Sequence, residues 1–222
     1  MFKGKRILVT GSCGTVGSEL IKQFATSDEY QPSEIIGIDN NENALFFQDQ
    51  EYILNKGVRV LFCDVRDRNT LCRAMDGIDI VFHCAALKHV VMMERSPAQA
   101  VQTNIEGVLN VIYAAQQHNV EKVIFTSSDK AVNPTNVMGT SKLMGERLIT
   151  AANSNRNCTD TIFASTRFGN VLGSNGSVFP IFRKQIEKGE LITITHEEMT
   201  RFVMSISAVS YTHLTLPTIY SV

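Results

Sequence analysis

The stretch Thr10-Gly11-Ser12-Cys13-Gly14-Thr15-Val16-Gly17 follows directly on the apolar run Ile7-Leu8-Val9 and spaces its glycines as G-x-x-G-x-x-G. Gly11 permits a tight turn off a strand, Gly14 lets backbone amides approach a phosphate, and Gly17 lets the next helix pack close to the sheet. An anion then rests on the helix N-terminus, where N–H groups and the helix dipole favour negative charge. Gly11, Gly14, Thr15, Val16 and Gly17 are therefore candidate contacts for the pyrophosphate of a dinucleotide. Asp39 ends the next apolar run and can accept hydrogen bonds from an adenosine ribose; its charge would repel a 2′-phosphate, which favours NAD over NADP. The alternative is a surface turn residue. Asp64 and Val65, after the third run, lie where an adenine amino group could be bound, or form a plain turn. Asp129 and Lys130 stand side by side where a fifth strand should end, at the sheet edge that takes ligands in open α/β folds.

The elements that must position these residues alternate between short β-rich runs and longer amphipathic stretches. Strands are expected at 6–9, 35–38, 58–62, 80–82, 123–125 and 162–164, with long helices at 97–118 and 138–152. Repeated β-then-α units with right-handed crossovers give a doubly wound parallel sheet, an NAD(P)-binding Rossmann fold, over residues 1–166. From 167 to 207 the texture changes. A Gly/Ser/Asn-rich loop at 170–177, a short helix around Phe179, Phe182 and Ile186, and a β-like run at 191–195 read as an incomplete, smaller substrate lobe. Residues 208–222 break the pattern and are expected to be a foreign tail, a translated sequencing adapter, on a natural chain that continues further.

Composition narrows the class. The chain has 222 residues, 44% hydrophobic and 19% charged, with a formal net charge of −1. No basic block calls for nucleic acid. No apolar run approaches the roughly 18 residues of a membrane span, and no signal peptide opens the chain, so a soluble cytoplasmic protein is expected. Five scattered cysteines form neither a disulfide framework nor a metal pattern, and mostly buried thiols are expected.

The sequence resembles the extended short-chain dehydrogenase/reductases of the CapD-like polysaccharide-biosynthesis type, and within them the UDP-N-acetylglucosamine 4,6-dehydratases. The resemblance lies in 10–17, in His83-Cys84-Ala85-Ala86-Leu87-Lys88-His89-Val90, in Thr103-Asn104-Ile105-Glu106-Gly107, in Ser127-Ser128-Asp129-Lys130-Ala131-Val132-Asn133-Pro134-Thr135-Asn136, in Arg167-Phe168-Gly169-Asn170-Val171-Leu172-Gly173-Ser174, and in Met199-Thr200-Arg201-Phe202. It covers residues 3–207.

The resemblance implies a redox-neutral dehydration of a UDP-sugar with tightly held NAD. Hydride leaves sugar C4, water is lost across C5 and C6, and the hydride returns to C6. It assigns Lys130 as the base at C5, Asp129 as the acid at the C6 oxygen, Ser128 as a hydrogen-bond partner of the C4 oxygen, and Lys142 to the nicotinamide ribose. Lys130 must then act neutral and Asp129 protonated; burial would favour those forms and direct pairing would oppose them. Ala85, Ala86 and Lys88 are implied cofactor contacts, with Lys88 also facing substrate. Asn104 is implied to order the active-site lysine through water, whereas its own residue type reads as helix surface. Asn170, Ser174 and Arg201 are implied UDP-sugar contacts, Arg201 by bidentate pairing with the diphosphate. Helices 98–118 and 138–152 correspond to those that form dimer interfaces in the superfamily, so a homo-oligomer is expected.

The departure is Met138. The superfamily's Tyr-x-x-x-Lys reads here Met138-Gly139-Thr140-Ser141-Lys142, and a thioether cannot carry a proton. A methionine at this point is a variant within the dehydratases. Two other readings compete: a related nucleotide-sugar epimerase or reductase, which does not need the Asp129–Lys130 pair, and a non-catalytic cofactor sensor. His83 and His89 read as packed histidines, and Met92, Met93, Met144 and the phenylalanines as core or lining.

Overall fold

In the computed structural model the described residues are 1–154, 160–174, 176–194 and 196–209. They divide into two compact units, Met1–Arg167 and Phe168–Val222. The first unit is built on six strands, β1 (Arg6–Thr10), β2 (Glu34–Asp39), β3 (Val58–Phe62), β4 (Ile80–His83), β5 (Lys122–Ser128) and β6 (Ile162–Phe168), the last ending one residue past the division. They form one sheet in the order β3-β2-β1-β4-β5-β6, the doubly wound order of dinucleotide-binding domains. Strands β1 to β5 pair in parallel. Ile7, Leu8, Val9, Ile80, Val81 and Phe82 are at most 1% exposed, as strands covered on both faces should be.

The covering helices are α1 (Thr15–Thr26), α2 (Glu42–Tyr52), α3 (Arg68–Ala74), α4 (Val90–Arg95), α5 (Pro97–Ala100), α6 (Gly107–Gln117) and α7 (Val137–Ser154). In α1, Gly17, Leu20, Ile21 and Phe24 form the buried stripe expected from helical spacing. The run expected as a single helix at 97–118 is instead α5, a π-helical stretch at Val101–Glu106, and α6. The wider turn encloses Asn104, which is 1% exposed and bonded to Leu87, so its expected place on a helix surface is corrected. No helix among the described residues is long and apolar enough to cross a membrane.

Several expectations about packing are also corrected. Met93 is buried, but Met92 and Met144 are 53% and 46% exposed, and Phe46, Phe47 and Phe62 lie on the surface. His89 is exposed rather than packed, while His83 is fully buried. Cys63 is buried and Cys13, Cys72 and Cys84 are half-buried, all free; Cys158 lies outside the described residues.

In the second unit α8 (Val178–Glu187) forms at the expected helix, with no buried residue. The loop expected from residue 170 begins instead with a strand, β7 (Asn170–Val171), which pairs in parallel with β8 (Val203–Met204). No strand forms over 191–194, because Leu191, Ile192 and Ile194 find no paired edge and stay exposed; Thr195 lies outside the described residues. Of the suspected tail, all but 208 and 209 lies outside them too.

Candidate active site

Because the strands run parallel, the C-terminal ends of β1, β2, β4 and β5 deliver Thr10, Asp39, His83 and Ser128 to one edge of the sheet. Four predicted clusters therefore share that edge.

The glycine loop turns through Gly11 at φ 67°, a conformation that favours glycine. A Cβ on Gly11 would come within 2.7 Å of the Ala85 backbone, and one on Gly17 within 2.2 Å of the Gly11 carbonyl. The loop is thus folded back on itself and against the turn after β4, with Gly14 capping α1 without any side-chain bond to its amides. Asp39 braces it: its Oδ2 accepts from Cys13 N at 3.1 Å and its Oδ1 from Asn41 N at 3.0 Å. Gln48, which the sequence gave no reason to notice, reaches from α2 to donate to the Ser12 carbonyl at 2.9 Å. Beside it, burial and then the Asp39 charge push the Cys13 thiol up to about 11. Asp64 is tied into the turn after β3. Arg66 grips both its oxygens and Asn40 donates at 3.1 Å, and the Arg66 hydrogen bonds hold its carboxyl down at about 2. Val65 is buried beside Gly107.

At the exit of β5 the chain enters a single 3-10 turn, Asp129–Ala131. Ser128 Oγ donates to Asp129 Oδ1 at 2.9 Å and accepts from Lys130 N at 3.3 Å. Lys130 Nζ meets the same Asp129 oxygen at 3.1 Å. The three side chains form one contiguous group, with Asp129 and Lys130 about one-third exposed at 30% and 32%.

Lys142 projects from α7 beneath this group and is nearly inaccessible, 7% exposed. Its Nζ donates to the Thr126 carbonyl at 2.9 Å and lies 4.8 Å over the Phe125 ring. Burial pushes its ammonium down to about 8. One turn along α7, Glu146 receives Arg167 Nε at 2.7 Å and Nη2 at 2.5 Å. Burial pushes that carboxyl up, but Arg167, the Ser127 hydroxyl and the Arg147 charge together pull it down, and the net shift is downward. Glu146 lies four residues after Lys142 on the same helical face, but its partner Arg167 comes from β6 and left no sign in the sequence.

Asn104 clamps the turn after β4 from behind. Its Oδ1 accepts from Leu87 N at 2.8 Å, and its Nδ2 donates to Leu87 O at 2.9 Å and Ser141 Oγ at 2.9 Å. Ala85 and Ala86 are half-buried in that turn, and Lys88 is exposed. Met138 is 4% exposed and packed with Met93 and Ala100, so its thioether belongs to the hydrophobic packing of α7. A cleft of about 370 Å³ beside the start of α7, lined by Glu94, Val101, Asn136 and Thr140 among others, contains none of these predicted contact residues.

In the second unit, Asn170 is fixed by its backbone to Phe202, Ser174 is buried, and the exposed Arg201 donates to the Thr200 carbonyl. Among the described residues no group of three or more His, Cys, Asp or Glu side chains is arranged to hold a metal.

Comparison with known proteins accords with the fold. Residues 7–216 match the family described as "Polysaccharide biosynthesis protein", a span that runs into the stretch read as a foreign tail. An uncharacterized membrane protein of Methanocaldococcus jannaschii is 48% identical over 93% of this chain and 61% of its own length. A UDP-N-acetylglucosamine 4,6-dehydratase (inverting) of Campylobacter jejuni is 41% identical over 93% of this chain and 61% of its own. A UDP-glucose 4-epimerase of Rickettsia canadensis is 39% identical over 93% and 60%. The chain thus spans about three fifths of the length of these relatives. Among solved structures, Pen from Bacillus thuringiensis superposes with a TM-score of 0.94 at 39% identity, over 99% of this chain and 69% of that one.

Proposed function

The chain belongs to the polysaccharide biosynthesis protein family, and from that premise we propose that it acts as a nucleotide-sugar 4,6-dehydratase on UDP-N-acetylglucosamine with bound NAD. The observation that carries the reading is the Ser128–Asp129–Lys130 group at the exit of β5, on the same sheet edge as the glycine loop.

The residues fit a dinucleotide. Side chains at Gly11 or Gly17 would collide with the backbone that shapes the loop, and Asp39 presents a carboxylate beside it. When bound, NAD supplies the hydride acceptor for C4 and the donor for C6. The chain's own residues supply the proton chemistry. Oxidation at C4, with the hydroxyl proton passed to a water because the Met138 thioether cannot take it, acidifies the C5 proton. Lys130, once neutral, takes that proton and returns it to C5 as hydride reaches C6, while Asp129 protonates the departing C6 oxygen. Passing one proton across the 3.1 Å Lys130–Asp129 contact produces both required forms at once. Direct pairing favours the charged forms, so the neutral pair depends on a seated sugar excluding water, since charges lose most on desolvation. Ser128 Oγ, oriented by Lys130 N, would turn the hydroxyl proton it now gives to Asp129 toward the C4 oxygen. Lys142, held by Thr126, presents its ammonium to the nicotinamide ribose.

A second reading, a nucleotide-sugar 4-epimerase, is favoured by the Rickettsia relative. Mass spectrometry of UDP-N-acetylglucosamine incubated with the full-length protein separates them. A product lighter by one water supports dehydration, an isomer of unchanged mass supports epimerisation, and no turnover with NAD bound points to a sensor.

A further inference from the structure

His83 takes no part in the chemistry described above, yet it is 0% exposed and sits between its two halves. On one side its Nδ1 lies 2.7 Å from the Thr10 hydroxyl, across the register pair Thr10↔His83 of β1 and β4. That hydroxyl also receives the Ala85 amide at 3.2 Å, and the Thr10 carbonyl receives Cys84 N at 3.1 Å. Thr10 is the root of the glycine loop, so this contact ties the loop to the turn after β4. On the other side the imidazole stacks on Phe125, 5.8 Å between centroids at 27°, and Phe125 carries the Lys142 ammonium on its ring. The His83 carbonyl accepts from the Thr126 hydroxyl at 3.1 Å, and the Thr126 carbonyl accepts from Lys142 Nζ at 2.9 Å. Both supports of Lys142 thus rest on His83. The ring is neutral, because burial and then the Lys142 charge push it down to about 3.

We propose that His83 is a positioning residue that joins the root of the phosphate loop to the seat of Lys142, through a hydrogen bond on one side and ring stacking on the other. This rests on the dinucleotide reading of the site. Neither contact touches a ligand, so the effect is on placement: the bond sets cofactor retention and the stack sets the Lys142-dependent step.

Two substitutions separate the arms. His83→Phe keeps a ring against Phe125 and removes the bond to Thr10; His83→Asn keeps a polar group near Thr10 and removes the stack. With full-length protein, His83→Phe should weaken NAD affinity, measured by calorimetry, about tenfold, the scale of one lost hydrogen bond in a buried site. Thr10→Val should do the same and Thr10→Ser should restore binding. His83→Asn should keep NAD affinity within about twofold and lower kcat about tenfold with KM for the sugar nucleotide unchanged. A merely structural role would make the two His83 variants lose NAD affinity and kcat together, and that result overturns the inference. So does a Thr10→Val variant with wild-type NAD affinity. Where His83→Phe does not fold, the Thr10 pair decides the bond arm alone. Wild-type protein that binds no NAD sinks the cofactor reading instead, which keeps the two failures distinct.

Discussion

Lys142 is an ammonium placed where water barely reaches it, and its pH behaviour follows from that. With its pKa at about 8 instead of the ordinary 10.5, the folded state sheds this proton before the unfolded state does. Between those values the unfolded chain binds more protons, so this group's contribution makes stability rise with pH; below about 8 the cost of burying the charge is fully present. Lys142→Met in cofactor-free protein should therefore be more stable than wild type near neutral pH, by about 1–3 kcal/mol. The gap should shrink as pH climbs toward about 10. Urea unfolding at several pH values measures this, and a gap that widens with pH contradicts it. Activity should disappear in the same variant. For Asp129 and Lys130 the relevant fact is local geometry. Neighbours in a strand point to opposite faces, but β5 stops at Ser128, and the 3-10 turn swings both side chains to one side. Lys130→Ala should abolish dehydration, while Met138→Leu, a swap of similar volume in an apolar contact, should keep much of it and cost less than about 1.5 kcal/mol. A wild-type rate from the lysine variant in the product assay would remove Lys130 from its role.

At the scale of elements, α1 shows packing overruling local preference. Gly17 lies inside a helix, where propensity alone would make alanine better by about 1 kcal/mol. The added Cβ would meet the Gly11 carbonyl at 2.2 Å, a contact with backbone that cannot rotate away. Gly17→Ala should thus destabilise by about 1–3 kcal/mol and weaken NAD binding, read by thermal unfolding with and without NAD. A more stable variant would show that the loop yields easily. The strands and α1 were legible because each carries its period in its own residues. Helix α2 was not: Phe46 and Phe47 face solvent and only Leu45 and Gln48 are buried, so no apolar stripe marks it. The π stretch was equally hidden, because the Leu87 backbone and the Ser141 hydroxyl, brought over from elsewhere in the chain, give Asn104 its partners.

At the scale of the whole molecule the two units differ in how they bury apolar surface. The first has a continuous core under its sheet. In the second, Phe179, Ile186, Leu191 and Phe202 are 54%, 63%, 91% and 82% exposed. A protein of residues 1–167 should fold cooperatively on its own and bind less of a hydrophobic dye such as ANS than the full chain does. Circular dichroism melts and dye fluorescence check this; an unfolded 1–167 would show that the second unit is needed for the first.

What the sequence determined by itself was whatever is encoded locally: strand and helix periods, the glycine turn, the acidic residue ending β2, and the Asp-Lys pair after β5. Those sufficed for the doubly wound sheet, because chirality and parallel pairing leave few ways to connect such units. The tertiary structure decided what depends on partners far apart in the chain. Asp64 is held by Asn40 as well as by Arg66, Glu146 by Arg167, Ser12 by Gln48, and His83 spans from Thr10 to Phe125. A buried polar group must find its hydrogen-bond partner wherever the fold supplies one, and no local pattern in the sequence records where that is.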